Sequence, residues 1–174
     1  MASTLKVQNI AHTGGTVAAT IDSNGFMFPK LPHFLIRNTA AQSVTNAQYA
    51  RAEFNDTVLD THSFADLNNN KINFNATTAG VYSIQFGGKW NNITANRIGY
   101  WIRKEGSMNT GPYIGYFESG DGASTYLYPT FTFIYQFNDG DFLELDLYHT
   151  ASSSANTYPT SQAIGFFMSG FRIG

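Results

Sequence analysis

The clearest alternation of apolar and polar residues lies between positions 131 and 149. An aromatic residue occupies every second position of 131–137, and a leucine occupies every second position of 143–147. Side chains on a strand point alternately to its two faces, so each segment predicts a strand with one buried and one solvent-exposed face. The pair Asp139-Gly140 between them favours a two-residue turn in which both residues have φ > 0. We therefore predict a β-hairpin over residues 131–149.

Shorter alternations of the same kind recur along the chain, with turn signals roughly every 8–15 residues. No segment shows the helical period over more than a turn or two, and parallel sheets would need helical crossovers. The pattern predicts an all-β fold, a β-sandwich or barrel of about ten antiparallel strands. Residues 90–96 are predicted to form a loop, and residues 119–122 (SGDG) a turn.

Residues 1–32 differ from the rest of the chain. Two short apolar runs are separated by glycine-containing turns, and the segment ends at Pro29 and Pro32, which disfavour regular pairing. So few apolar residues can bury little surface by themselves. We expect an N-terminal arm over 1–32, ordered by a partner or by its own copies, followed by the main domain over 33–174. The candidate contact residues of the arm are Leu5, Val7, Ile10, Val17 and Ile21.

Composition narrows the functional classes. The chain has 174 residues, of which 43% are hydrophobic and 13% charged, with a net charge of −2, and this indicates one globular domain with a sizeable core. It shows no basic stripe, and no apolar run approaches the ~20 residues of a membrane span. We expect neither a nucleic-acid partner nor membrane insertion. The N-terminus has no apolar segment typical of a secretion signal, and the chain has no Cys.

The residue types that carry catalysis and metal binding are present without the patterns that those functions need. The four His are scattered, and no nucleophile elbow, phosphate-binding loop or zinc-protease motif occurs. Acidic residues are densest at 139–146, where a Ca²⁺ site or a glycosidase carboxylate pair is one interpretation. The favoured interpretation is a turn followed by the wet face of a strand. We expect no enzyme and no cofactor; Ca²⁺ and a metal on a symmetry axis stay open.

Aromatic residues near predicted loops are the remaining lead. Aromatic rings can stack on sugars while neighbouring Asn and Gln side chains donate and accept hydrogen bonds. We take Trp90, Asn92 and Tyr113 as the candidate binding residues at the surface of the domain. Trp101, Tyr126 and Tyr128 are expected to pack in the core or at an interface between subunits.

The main domain contains three motifs: Phe74 followed by Gly80-Val81-Tyr82, Phe137 followed by Gly140-Asp141 and alternating leucines, and Ser169-Gly170-Phe171. Together these motifs resemble the C1q/TNF jelly-roll family. Met168 stands where that family usually has Phe. The resemblance covers residues 33–174 and implies a jelly-roll β-sandwich that forms homotrimers through an aromatic-rich side. It also implies that Ca²⁺ binding is possible, since some C1q-like domains bind this ion.

The N-terminal stretches STLKVQNI (3–10) and HTGGT (12–16) are similar to the start of tail-fibre-like virion proteins of marine bacteriophages. This resemblance implies a virion structural protein, assembled in the host cytoplasm. In this interpretation, the arm contacts other virion proteins, and a trimeric tail-fibre or spike head binds a glycan or protein of the host surface. The alternative is a capsid decoration, cement or head-fibre protein. An enzyme acting on a surface glycan ranks third.

Overall fold

The computed structural model describes residues 7–11, 13–15, 17–91, 94–104, 113–123, 126–127, 130–151, 155–157 and 166–174. All regular secondary structure within these ranges is β-strand. None of these residues belongs to a helix long and apolar enough to cross a membrane. In chain order the strands are β1 (Asn9–Ala11), β2 (Val17–Ile21), β3 (Met27–Pro29), β4 (His33–Arg37), β5 (Ser43–Val44), β6 (Ala50–Arg51), β7 (Asp56–Asp60), β8 (Ala65–Asp66), β9 (Lys71–Asn73), β10 (Gly80–Gly87), β11 (Trp90–Asn91), β12 (Thr94–Arg103), β13 (Tyr113–Ala123), β14 (Tyr126–Leu127), β15 (Thr130–Phe137), β16 (Phe142–Ala151), β17 (Ala155–Thr157) and β18 (Phe167–Arg172).

The chain divides into two compact units, residues 1–32 and residues 33–174. The first unit is an antiparallel sheet in the order β1-β2-β3. Asp22 closes its second turn, because its carboxylate accepts the backbone N–H groups of Asn24 and Phe26, each at 2.9 Å, and Gly25 supplies a φ of +84°. Of its described aliphatic and aromatic side chains, only Ala19 and Pro32 are buried. This unit therefore has almost no core of its own.

The second unit contains two larger antiparallel sheets. The first sheet has the order β15-β10-β18-β4-β7. The second sheet has the order β13-β12-β16-β9-β8. The short strand β6 also pairs with β16, at residues that follow those paired with β9. A small sheet, β14-β11-β17-β5, joins strands from four distant parts of the chain. The predicted all-β sandwich is confirmed.

The core lies between the two larger sheets because alternate residues of each strand point inward. On the first sheet these include Ile36, Tyr82 and Met168, and on the second sheet they include Tyr100 and Leu145. Aromatic rings dominate one part of this core, where Phe74 and Phe137 stack with centroids 4.0 Å apart. The Tyr82 hydroxyl donates to the carbonyl of Thr78 at 2.5 Å, and burial raises the pKa of Tyr82 to about 12.

The predicted hairpin over residues 131–149 is wrong. Its two strands form as expected, but β15 belongs to the first sheet and β16 to the second, so the turn between them is a corner connecting the sheets. Only Gly140 has a positive φ (+86°) in this turn. The backbone of Phe74 holds the corner, donating to the Asp141 carbonyl at 2.8 Å and accepting from the Gly140 N–H at 3.0 Å.

Two predicted loops also form strands. Residues 119–122 continue β13, with Ser119 opposite Ile98 and Gly120 opposite Arg97. Within the segment 90–96, β11 occupies Trp90–Asn91, and β12 begins at Thr94. Glycine and polar residues are tolerated there because the pairing with β12 extends along the whole of β13.

Candidate functional site

The outward face of the first sheet carries apolar side chains that remain exposed. Ile134 is 65% exposed and Phe171 is 54% exposed. Both lie opposite Ser83 of β10, so they occupy one row across three adjacent strands, with backbones about 10 Å apart. Leu59 and Ile173 are also exposed, and together these four residues define the apolar face. Such a patch on a small domain is typical of an interaction surface.

One side of the sandwich is rich in half-buried aromatic rings. Phe131, Phe133 and Tyr135 of edge strand β15 point inward, yet none is fully covered, and Phe117 of edge strand β13 is in the same state. The Phe131 ring lies 5.3 Å from buried Phe86 and 6.5 Å from Phe117, measured between centroids. These four residues define the aromatic side. The structure therefore places an apolar face and an aromatic side on the same domain.

The outward face of the second sheet presents tyrosines. A bulge shifts the pairing of β12 with β13, so that Trp101 lies opposite Tyr116 and Arg103 lies opposite Tyr113. The extra residue, Ile114, packs against the core. Without the bulge, positions 113 and 116 would point to opposite faces. Tyr116 is 63% exposed and Tyr113 is 37% exposed.

An ion pair joins this row of tyrosines. Arg97 donates to the Glu118 carboxylate, and both side chains are partly exposed. Glu118 lies two residues beyond Tyr116 on β13, opposite Gly99, and therefore points to the same face. Tyr113, Tyr116, Arg97 and Glu118 together define the tyrosine strip.

Trp101 lies next to the tyrosine strip and is packed within an aromatic group. Its indole lies against Gly99, where an added Cβ would be only 2.0 Å from the ring. Tyr49 packs on it with centroids 4.9 Å apart, and Tyr148 does so at 5.5 Å. The Arg97 guanidinium caps the group, 5.7 Å from the Trp101 ring and 5.3 Å from the Tyr148 ring. Trp101 is therefore a packed residue, as was expected from the sequence.

A buried ion-pair network lies on the same sheet. Arg103 binds Asp146 through two contacts, Nη2–Oδ1 at 2.8 Å and Nε–Oδ2 at 2.7 Å. Its Nη2 also lies 3.1 Å from Glu144, whose other oxygen is 2.8 Å from Arg51 Nη1. Arg103 and Asp146 are both 0% exposed. The expectation that Glu144 and Asp146 lie on the wet face of a strand is wrong.

Burial dominates the electrostatics of this network. It raises the pKa of Asp146 and the pKa of Glu144, and the neighbouring Arg103 and Arg51 offset only part of that effect. Burial also raises the pKa of the Tyr113 hydroxyl, with a further contribution from the negative charge of Asp146. Such a network is costly to break, because removing one partner leaves an uncompensated buried charge.

The three residues predicted to contact a host surface differ in their positions in the structure. Trp90 is 0% exposed, so the expectation of a surface tryptophan is wrong. Its Nε1–H donates to the Tyr100 hydroxyl at 2.8 Å, and its ring packs edge-on against Phe166 and His149. Tyr113 is exposed and belongs to the tyrosine strip. Asn92 lies outside the described residues.

The arm residues form an open groove within residues 1–32. Val7 and Ile10 are exposed, Val17 and Ile21 are half-buried, and Leu5 lies outside the described residues. Val7, Ile10 and Ile21 line the groove together with Gln8 and Asp22. The arm thus exposes apolar side chains along a groove.

Sequence reasoning missed Ile134 and Phe171 as surface residues, and it placed Tyr116 near loops and outer faces without selecting it as a binding candidate. Alternation does point Ile134 outward, opposite to its aromatic neighbours on β15, so that signal was available. The bulge that brings Tyr116 beside Tyr113 depends on pairing with β12 and has no local signal. Among the described residues, no group of three or more His, Asp and Glu could hold a metal ion.

Several solved structures are similar to this chain in architecture. The chain is similar to murine APRIL, with a TM-score of 0.62, 11% identity, and coverage of 83% of this chain and 100% of that one. It is similar to the globular domain of the zebrafish complement 1qA protein, with a TM-score of 0.60, 13% identity, and coverage of 83% and 98%. It is also similar to the Eiger TNF of S. frugiperda, with a TM-score of 0.57, 8% identity, and coverage of 83% and 93%.

No protein-family model matches the chain, and no curated protein sequence matches it. The structural similarity covers nearly the whole length of each of these structures. The sequence identities are so low that the similarity shows the fold alone. The fold is a C1q/TNF-like jelly roll, as the three motifs of the main domain predicted.

Proposed function

We propose that this protein is a structural component of a bacteriophage virion, a trimeric tail-fibre or spike head that binds the host surface. The observation that carries the trimer is the pairing of the apolar face with the aromatic side on one domain. The N-terminal resemblance to tail-fibre-like virion proteins supports the place in the particle. The C1q/TNF resemblance supports three-fold assembly.

The geometry of the two surfaces supports a ring of three. They lie on different parts of the domain, so a contact between them is head-to-tail, and such contacts form closed rings when the rotation closes. Each copy would cover the apolar face of one neighbour with its aromatic side and present its own apolar face to the other neighbour. The burial gained would stabilise a chain that has no disulfides.

Assembly is tested by Ile134→Glu in the full chain, measured by sedimentation velocity. We expect a trimer for the wild type and a folded monomer for the variant, because a carboxylate would be desolvated in the interface. Tyr116→Glu is the matched control, since Tyr116 is equally exposed on the opposite sheet. A monomeric wild type, or a trimeric Ile134→Glu protein, would contradict the assembly.

The position on the particle is tested by immunogold electron microscopy of purified virions, with an antibody raised to residues 33–174. Label at the tail is the expected result. Label spread over the head would replace the host-binding role with capsid decoration. No label at all would overturn the virion role.

The arm is proposed to attach the trimer to other virion proteins. Its near absence of a core and its exposed apolar groove support this role. Deleting residues 1–32 should abolish incorporation into particles and leave the head folded. Unchanged incorporation would contradict attachment through the arm.

A further inference from the structure

We propose that the tyrosine strip binds an uncharged glycan. The inference rests on the proposed host-surface role and deepens it, since it names the binding residues and the class of ligand.

The spacing of the two tyrosines suits a ligand made of successive rings. Their β12 partners, Trp101 and Arg103, are two residues apart, which separates the two positions by about 6.6 Å along the sheet. An extended sugar chain lying along β13 could therefore place neighbouring rings on Tyr116 and Tyr113. Sugar rings have apolar C–H faces that pack on the face of an aromatic ring.

The platform is held in place before any ligand binds. Tyr116 lies opposite Trp101, which Tyr49 and Tyr148 pack against. Tyr113 lies opposite Arg103, whose guanidinium is fixed by Asp146. Because these supports are already buried and packed, binding would not have to order them.

The polar end of the tyrosine strip matches sugar hydroxyls. The planar Arg97 guanidinium donates hydrogen bonds, and the Glu118 carboxylate accepts them, so one pair can satisfy both functions of a hydroxyl. The charge of Arg97 is already neutralised by Glu118. The tyrosine strip thus has no net positive charge to attract a polyanion, which favours an uncharged glycan over an acidic one.

The proposed trimer would contact the apolar face of the first sheet and the inward-pointing rings of the aromatic side. The tyrosine strip points away from both, because it lies on the outward face of the second sheet, on the opposite side of β13 from Phe117. Three copies of the tyrosine strip per trimer would bind a repetitive polysaccharide with avidity.

The test uses the full-length protein on an array of immobilised oligosaccharides, both neutral ones built from glucose, galactose, mannose or N-acetylglucosamine, and sialylated ones. The dissociation constant for the best neutral probe is then measured by calorimetry. We expect Tyr116→Ala to weaken binding about tenfold through lost stacking. Tyr116→Phe should bind nearly as the wild type, because it keeps the ring. Phe26→Ala, which removes an equally exposed aromatic residue of the arm, is the matched control.

Three outcomes would overturn the inference: no neutral probe binds the wild type, only sialylated probes bind, or Tyr116→Ala binds as tightly as the wild type. The array result is independent of the particle. Immunogold label at the virion tail, combined with no sugar binding on the array, would contradict the glycan assignment alone and leave the host-surface role intact. Sugar binding that depends on Tyr116, without any label on virions, would support the tyrosine strip and reject the virion role.

Discussion

The outward face of the first sheet carries exposed apolar side chains, whereas the outward face of the second sheet carries buried charged ones. On the first sheet, apolar residues such as Ile134 and Phe171 stand exposed. On the second sheet, the charged residues Arg103, Glu144 and Asp146 are enclosed. Both arrangements are the reverse of what alternation along a strand leads one to expect.

The difference comes from what folds over each face. On the second sheet, Arg51 of β6 pairs beside Asp146, and the adjacent Tyr49 packs on Trp101 and Tyr148. This segment helps to convert a strand's polar face into an interior one, where charges must pair. Among the described residues of the first sheet, Ile134 and Phe171 keep more than half of their surface exposed. Burial on an outward face is therefore a property of the covering segment.

The largest effect is expected from Arg103→Met, which tests whether the enclosed charges of the second sheet matter more for stability than the exposed charges of the first. The substitution leaves the Asp146 and Glu144 carboxylates buried without their shared cation, and we expect a loss of about 3–5 kcal/mol in the free energy of unfolding. Urea denaturation measures it. Arg37→Met is the matched control, because Arg37 pairs with Asp56 at 2.5 Å on the exposed first sheet and should cost at most ~1 kcal/mol. Equal losses for both variants would remove the distinction.

Gly99→Ala should have an intermediate effect. The added methyl group would collide with the Trp101 indole and force it off the sheet, with an expected cost of about 1–3 kcal/mol. A red shift of tryptophan fluorescence should accompany it. Gly115→Ala on the neighbouring strand is the control, because its nearest contact would be 3.3 Å away, at a flexible Ile102 side chain. An unshifted spectrum and unchanged stability would show that the indole does not depend on Gly99.

The smallest effect is a pH dependence of the Arg103→Met variant. Burial raises the pKa of Asp146, and loss of the cation raises it further, so the folded chain binds a proton that the unfolded chain has released. Stability therefore rises as pH falls from neutral through the folded pKa toward the unfolded value. We expect the gap to wild type to narrow by about 1 kcal/mol between pH ~7 and pH ~5. A gap that widens on acidification would contradict this account.

The sequence predicted the strands of the sandwich better than their partners. Inward-pointing residues of β15 and β16 were identified by alternation, because burial of one face requires it. The hairpin between them was not correct, because Asp-Gly preference is local while the corner is held by the backbone of Phe74. Asp141 adds a second hold, since its carboxylate accepts the Asn138 N–H at 2.7 Å. The hydrogen bonds to the Phe74 backbone are long-range and leave no mark on the turn residues.

The candidate site could be predicted only in part. Tyr113 was found because it begins a strand after a polar segment, and it is exposed. Trp90 was misplaced because its segment looks like a loop, whereas β11 pairs with β14 and β17 and directs the indole to Tyr100. The role of Tyr116 depends on a bulge that only the pairing with β12 creates.

The position of β18 also sets an order of events during synthesis. This strand, residues 167–172, lies in the middle of the first sheet between β10 and β4, both of which leave the ribosome much earlier. Those two strands cannot pair through their shared neighbour until the chain has been made past residue 172, and pairings so distant in sequence form slowly. The first sheet, and the apolar face that it presents, is therefore completed only after translation has passed this point. Nascent chains on one messenger RNA thus lack this surface until each domain is whole.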